Sequence, residues 1–248
     1  MNLLKKQKMN LTVLQTKITN DFDVNLQNLE LLILNCKEQD FILAPELAVN
    51  GYSYDNMDLA VTYTQKAIDS FTKLSKNKTI AITLTTKENN KYYNTLHIFH
   101  NCKIIHTQSK HKIFVLNDER KYFEPGNIDD IKVIDINGVK VASLICFELR
   151  FIELWKQIQG ADIILVPAMW GAPRKDNFET LCKALAIANQ CFVMASSCAN
   201  STYAKGSAII SPFGKVVKDD IKEVVSKSIN LKEITEMRNH LDVEIKFL

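Results

Sequence analysis

Three segments of this chain end an apolar run in a side chain able to do covalent or acid–base chemistry. Cys146 closes Val139-Lys140-Val141-Ala142-Ser143-Leu144-Ile145, Glu46 follows Phe41-Ile42-Leu43-Ala44-Pro45, and Lys110 follows Ile104-Ile105-His106-Thr107-Gln108-Ser109. A thiolate is the nucleophile of cysteine chemistry, a carboxylate can take its proton, and an ammonium can hold a developing negative charge. Residues 150–159 read as a helix starting just after Cys146, whose dipole and free N–H groups favour thiolate over thiol. In α/β sheets ligand sites form beyond the strand ends, so three such groups after three strands can converge there. Taken singly, Cys146 reads equally as a core cysteine, and Glu46 and Lys110 as solvated loop residues.

Length and composition set the frame for these elements. The 248 residues suffice for one large α/β domain, and no low-complexity linker, repeat or Pro/Gly-rich break divides them. A net charge of +3 with scattered lysines gives no basic stripe for nucleic acid. No run reaches the roughly 18 apolar residues of a membrane span, and the start lacks a signal-peptide core, so a cytoplasmic protein is expected. The six cysteines form no C-x-x-C pair and the five histidines no H-x-x-x-H pair. Reduced, packed thiols and no metal site are the expectation.

Period-2 and period-3.6 patterns place the elements. Strands are predicted at 11–16, 41–44, 79–86, 162–166, 191–197, 206–211 and 215–217, and helices at 23–36, 61–74, 150–159 and 176–190. Residues 92–108 read as a hairpin around Asn101-Cys102. Residues 131–136 and 139–145 flank Asn137-Gly138, a strong hairpin signal because both turn residues tolerate positive φ. Buried parallel-type strands alternating with helices, plus antiparallel hairpins, predict two mixed sheets covered by helices. Residues 1–8 match nothing and read as an extension, with Met9 an alternative start.

Taken together, these residues resemble the nitrilase, or carbon–nitrogen hydrolase, superfamily. The resemblance is carried by Ala44-Pro45-Glu46-Leu47 with Gly51-Tyr52, Lys110-His111-Lys112-Ile113-Phe114, and Asp118-Glu119-Arg120-Lys121-Tyr122-Phe123-Glu124-Pro125-Gly126. Cys146-Phe147-Glu148-Leu149-Arg150-Phe151, Gly160-Ala161-Asp162, Pro167-Ala168-Met169-Trp170, the helix from Ala184 to Gln190, Gly206-Ser207-Ala208 and Pro212-Phe213-Gly214 continue it. The match runs in the family's order over about residues 11–217.

The resemblance implies a four-layer α-β-β-α sandwich in a single domain, and a Glu46-Lys110-Cys146 triad with Glu119 beside it. It implies a cofactor-free amidase that splits a small carboxamide through a Cys146 thioester, with Lys110 and the Phe147 N–H holding the oxyanion. Simple ω-amidase-like or deaminated-peptide amidase activity leads, ahead of N-carbamoyl amide hydrolysis and then nitrile hydrolysis. It also implies a homodimer or a multiple of one. Tyr52, Phe147 and Trp170 are the candidate substrate contacts, and substrate choice is expected to lie in loops 52–58, 114–117 and 170–176.

Bland readings stand beside these. Glu119 sits in the charged run Asp118-Glu119-Arg120-Lys121, which reads as a solvated turn, and Trp170 reads equally as core. Arg150 can pair with Glu148 or Glu153. Departures from the family pattern are Lys112 for histidine, Glu148 for aspartate, Ile152 for proline, and Leu185 and Ala188 for arginine and glutamate. A non-catalytic binding protein retaining the fold is a further alternative, against which the intact Glu-Lys-Cys set argues. A papain-like hydrolase using His111 is another. It predicts that His111→Ala abolishes activity and Lys110→Ala is tolerated; the triad predicts the reverse, checked by turnover of the two purified variants.

Overall fold

The computed structural model describes residues 8–116 and 118–245. Most of the expected N-terminal extension, residues 1–7, lies outside them. Lys8 and Met9 already belong to the first strand, which runs Lys8–Leu14.

Two six-stranded sheets form the centre. The first holds β1 (Lys8–Leu14), β2 (Asp40–Leu43), β3 (Thr79–Glu88), β4 (Lys91–His100), β5 (Lys103–Ser109) and β12 (Val224–Asn230), in the order β12-β1-β2-β3-β4-β5. The second holds β6 (Ile134–Ile136), β7 (Val139–Ser143), β8 (Ile163–Ala168), β9 (Phe192–Ser197), β10 (Ala208–Ile210) and β11 (Val216–Lys218), in the order β11-β10-β9-β8-β7-β6. In each sheet three central strands run parallel and the flanking ones antiparallel. The predicted mixed sheets are therefore present.

Alternation explains the layers. One face of the first sheet, with Leu11, Val13, Leu43 and Ile98, packs on Val141, Ile163, Leu165 and Met194 of the second in a single core. The opposite face, with Ile42, Ile80 and Ile82, packs on Leu26, Leu29 and Ile33 of α1 (Phe22–Asn35) and on Ala67 and Phe71 of α2 (Met57–Leu74). Asp21 caps α1 by accepting the Val24 N–H at 3.0 Å. On the second sheet α4 (Ile152–Gln157) and α5 (Lys175–Ala188) complete the sandwich through Leu154, Phe178, Cys182 and Leu185. Leu185, which departs from the family's arginine, is thus a core residue.

Three differences from the sequence reading bear on the site. The expected helix at 150–159 is a 3-10 turn over Cys146–Arg150 followed by the six-residue α4. Residues 131–133 do not join β6; that hairpin is shorter than its apolar run. Residues beyond 218, left without elements by sequence patterning, form β12 and α6 (Lys232–His240). β12 pairs antiparallel with β1, from Lys8↔Asn230 to Leu14↔Val224, which is why Lys8 is in a strand.

The strand ends that matter are pinned across the sandwich. The Glu46 N–H donates to Ala168 O at 3.3 Å, joining the end of β2 to the end of β8. Gln108 and Ser143 exchange side-chain hydrogen bonds between β5 and β7, the shorter at 2.9 Å. Beyond β5, Gly126 donates its N–H to Lys110 O at 2.8 Å, and a Cβ there would stand 2.3 Å from Ser109 O. Gly126→Ala is therefore expected to destabilise the fold by about 1–3 kcal/mol, because backbone rather than a mobile side chain must yield. Denaturant unfolding beside wild type checks this.

Candidate active site

Each side chain is delivered by the end of a strand. Glu46 lies three residues past β2, Lys110 directly past β5, and Cys146 three residues past β7. Cys146 opens the 3-10 turn with φ at +49°, a left-handed conformation that costs a residue with a Cβ about 1–3 kcal/mol. Such a turn lifts the sulfur out of the strand direction. Glu119 begins α3 (Glu119–Tyr122), one residue after Asp118, itself at φ +55°.

These four residues meet. The Lys110 ammonium donates to Glu46 Oε1 at 2.8 Å and to Glu119 Oε1 and Oε2 at 2.8 and 3.1 Å. Lys110, Glu46 and Glu119 are each at most 1% exposed. Glu46 Oε1 also accepts from the Asn94 amide at 2.9 Å, and Oε2 accepts the Met169 N–H at 3.0 Å. Glu119 Oε2 accepts the Phe114 N–H at 2.7 Å. The Cys146 thiol lies beside the Glu46 carboxylate and the Met169 N–H. A carboxylate so placed is in reach of the thiol proton, and an ammonium beside it can hold an oxyanion.

The electrostatics follow from burial. Burial is the largest influence on the thiol and, with the Glu46 charge, holds it well above the usual range against the pull of Lys110. The expected thiolate-favouring helix start is thus outweighed, and α4 begins only at Ile152. Burial opposes the Lys110 charge, yet Glu46 and Glu119 overcome it and hold the ammonium above the ordinary lysine value. Burial raises Glu119 as well, against Lys110 and the Phe114 N–H.

A cavity of 320 Å³ opens on this cluster, lined by Lys110, Glu119, Cys146 and the three candidate substrate contacts, Tyr52, Phe147 and Trp170. The Tyr52 hydroxyl is engaged with the carboxylates: it donates to Glu46 Oε1 at 2.7 Å, with Glu119 Oε1 at 3.2 Å, and Lys110 donates to it at 3.1 Å. Phe147 packs edge-on against Phe114 and Phe151. Trp170 is both lining and packing, tilted on Phe178 with its indole N–H donated to Arg174 O at 2.8 Å. All three loops expected to choose substrate reach the walls, through Tyr54, Phe114 and Arg174.

Patterning missed some participants. Asn94 carries no motif of its own, Arg174 is covered only by the loop 170–176, and Met169, though within Pro167-Ala168-Met169-Trp170, contributes through its backbone N–H. Arg150 pairs with neither Glu148 nor Glu153; it lies 4.9 Å from the Trp170 ring and donates to Asn177 at 3.1 Å. His111 turns away, its Nδ1 2.8 Å from Gly126 O. Among the described residues no cluster of His, Cys, Asp and Glu has a metal-binding arrangement, and no helix is long and apolar enough to cross a membrane.

Removing the cation tests the cluster. Lys110→Met leaves Glu46 and Glu119 facing each other in a buried space. A loss of about 3–5 kcal/mol is expected at neutral pH, and less at acid pH where one carboxylate takes a proton. Unfolding free energies measured against pH check both statements.

Comparisons with known proteins bear on the family and the fold. The carbon-nitrogen hydrolase family model matches residues 10–239. A 2-oxoglutaramate amidase of Bacillus subtilis (strain 168) is 32% identical over 220 residues, 84% of each chain. Omega-amidase YafV of Escherichia coli (strain K12) is 24% identical over 203 residues, covering 79% of this chain and 78% of its own. Among solved structures, a CN-hydrolase superfamily protein from Xanthomonas campestris superposes with TM-score 0.84 at 20% identity, over 94% of this chain and 95% of its own. An amidase from Nesterenkonia sp. does so with TM-score 0.79 at 16% identity, over 97% and 99%. With the family matched over nearly its whole length and two sheets of the same fold, the chain belongs to the carbon-nitrogen hydrolase family.

Proposed function

We propose that the protein is an ω-amidase-like enzyme that hydrolyses the terminal carboxamide of a small anionic molecule through a thioester on Cys146. One observation carries this choice. Two guanidinium groups, Arg150 and Arg174, line the same cavity as Cys146, and among the described residues neither has a carboxylate partner. Arg150 leans on Trp170, and Arg174 lies 5.5 Å from the Phe114 ring, so each is oriented without being neutralised. A carboxylate on the substrate would supply the missing charge, and the planar fork of arginine suits it. The relatives named as 2-oxoglutaramate amidase and omega-amidase agree with such a substrate.

The roles proposed follow from the contacts. Glu46 takes the proton of Cys146 as the sulfur attacks the amide carbonyl. The negative charge leaves Glu46 and reappears on the carbonyl oxygen, held by Lys110 with the Phe147 N–H, so the buried ammonium exchanges one anion for another. Glu119 stays on the opposite side of Lys110 and keeps it charged. Glu46 returns the proton to the departing nitrogen, ammonia leaves, and a water activated by Glu46 splits the thioester. The carboxylate product and the free thiol result. Tyr52 holds the two carboxylates in place, and Phe147 and Trp170 wall the acyl group.

An N-carbamoyl compound or a nitrile would use the same four residues; the arginine pair is what favours an anionic amide. A homodimer or a multiple of it remains part of the proposal on the family resemblance, and light scattering of the purified protein checks it.

Ammonia release from neutral amides, carboxylate-bearing ω-amides, N-carbamoyl amino acids and nitriles tests the reading. Carboxylate-bearing ω-amides are expected to be turned over fastest, with all release lost in Cys146→Ala. Arg174→Ala is expected to raise KM for the anionic amide by about 10- to 100-fold, the worth of a charge-assisted hydrogen bond, with little effect on a neutral amide of the same length. Equal effects on both amides would overturn the anionic assignment.

A further inference from the structure

The chemistry above leaves unused a buried carboxylate that stands beside the nucleophile. Glu148 is fully buried two residues after Cys146. Its Oε2 accepts the Ile145 N–H at 2.7 Å, and its Oε1 accepts the His111 N–H at 2.6 Å and the Lys112 N–H at 3.4 Å. Ile145 immediately precedes Cys146, and His111 immediately follows Lys110. One carboxylate therefore joins the backbone behind the sulfur to the backbone behind the ammonium. These segments come from different sheets, and no backbone–backbone hydrogen bond joins them directly among the described residues. The Gln108–Ser143 pair is a second tie, lower in the same two strands.

We propose that Glu148 is a positioning residue for the reaction, a two-sided clasp whose carboxylate fixes the distance between the Cys146 sulfur and the Lys110 ammonium. The proposal rests on the Glu-Lys-Cys reading and extends it to a side chain that need not touch substrate. Both oxygens are required, because they face N–H donors on opposite sides. A neutral isostere offers one acceptor only and leaves a buried N–H on one side without a partner. The same holds when Glu148 itself takes a proton, whose hydrogen must then point at a donor. Burial pushes Glu148 up to about 7, against its backbone N–H partners and Lys110, so the clasp opens within an accessible pH range.

The charged groups around it are few. Lys110 acts on Glu148 directly, with Glu46 and Glu119 beyond it. Lys112 pairs with Glu153 at 3.4 Å, the His111 ring is turned to Gly126, and Arg150 to Asn177. Cys146 is the remaining titratable neighbour on the same turn, and its thiol is held high. Deprotonation of Glu148 is therefore expected to appear as an acid-side limb in kcat near pH 7.

The experiment measures kcat and KM against pH for wild type, Glu148→Gln, Glu148→Asp and Cys146→Ala, with near-UV circular dichroism as the check on folding. In Glu148→Gln kcat is expected to fall about 100-fold, as for a sub-ångström misplacement of reacting groups, with KM within about threefold and the acid limb gone. Glu148→Asp keeps two charged oxygens on a shorter stem and is expected to recover part of kcat with the limb displaced. A wild-type kcat in Glu148→Gln, or a limb unchanged from wild type, overturns the proposal, as does a loss confined to KM. Should Glu148→Gln not fold, Glu148→Asp decides: reduced kcat with a displaced limb supports the clasp, and wild-type behaviour overturns it. An active Cys146→Ala would instead overturn the triad itself, whatever Glu148 does.

Discussion

A buried ammonium is the constraint on which the site depends. Lys110 is 1% exposed, and an isolated charge so far from water would lose its proton. It keeps the charge because Glu46 and Glu119 stand at 2.8 Å on two sides. Those carboxylates in turn are held by Asn94, the Tyr52 hydroxyl and the N–H groups of Met169 and Phe114. The excess negative charge of one lysine between two glutamates is what makes a proton acceptor available beside Cys146. Burial, with the Glu46 charge, holds the resting thiol protonated, so in the proposed mechanism the thiolate forms only as substrate is attacked.

This arrangement needs two sheets. Glu46 and Lys110 come from one, Cys146 and the Met169 N–H from the other, and the 320 Å³ cavity lies where their strand ends meet. Relative position is therefore set by ties across the sandwich: Glu46 N–H to Ala168 O, Gln108 to Ser143, and Glu148 to both sides. The interior supplies the rigidity, since side chains from both sheets share one core. Beyond the reacting groups the cavity changes character. Its wall carries two arginines near aromatic rings, the groups that in the proposed function would receive the anionic end of the substrate.

Much of this is legible in the sequence, and the reasons are local. Asn137-Gly138 between β-branched runs announces its hairpin because both residues accept positive φ, at +54° and +82°. Glu46, Lys110 and Cys146 are readable because each follows an apolar strand run, and Glu119 because it stands in the family-like run that ends in Pro125-Gly126. β12 is not, because its partner β1 lies some two hundred residues away and only Val225 and Ile229 of its alternating residues are buried. α6 gives little periodic signal because few of its residues are apolar, Ile234 and Met237 being the buried ones that are. Asn94 reaches Glu46 through the register of β4 on its neighbours, which no single segment encodes. Nothing in the sequence assigns Glu148 a role; its burial and hydrogen bonds show the backbone donors around it. Arg150 has Glu148 and Glu153 near it in sequence, and the fold points those glutamates elsewhere.

The central claim is that the acyl group of an amide rests on Cys146. Its most direct measurement is intact-mass and peptide-mapping analysis of the enzyme acid-quenched during turnover of a carboxylate-bearing ω-amide. The proposed chemistry requires a mass gain equal to the substrate less ammonia, mapped to the peptide containing Cys146. Steady ammonia release with Cys146 unmodified at every quench time, or with the acyl group on another residue such as the exposed Cys102, would contradict it.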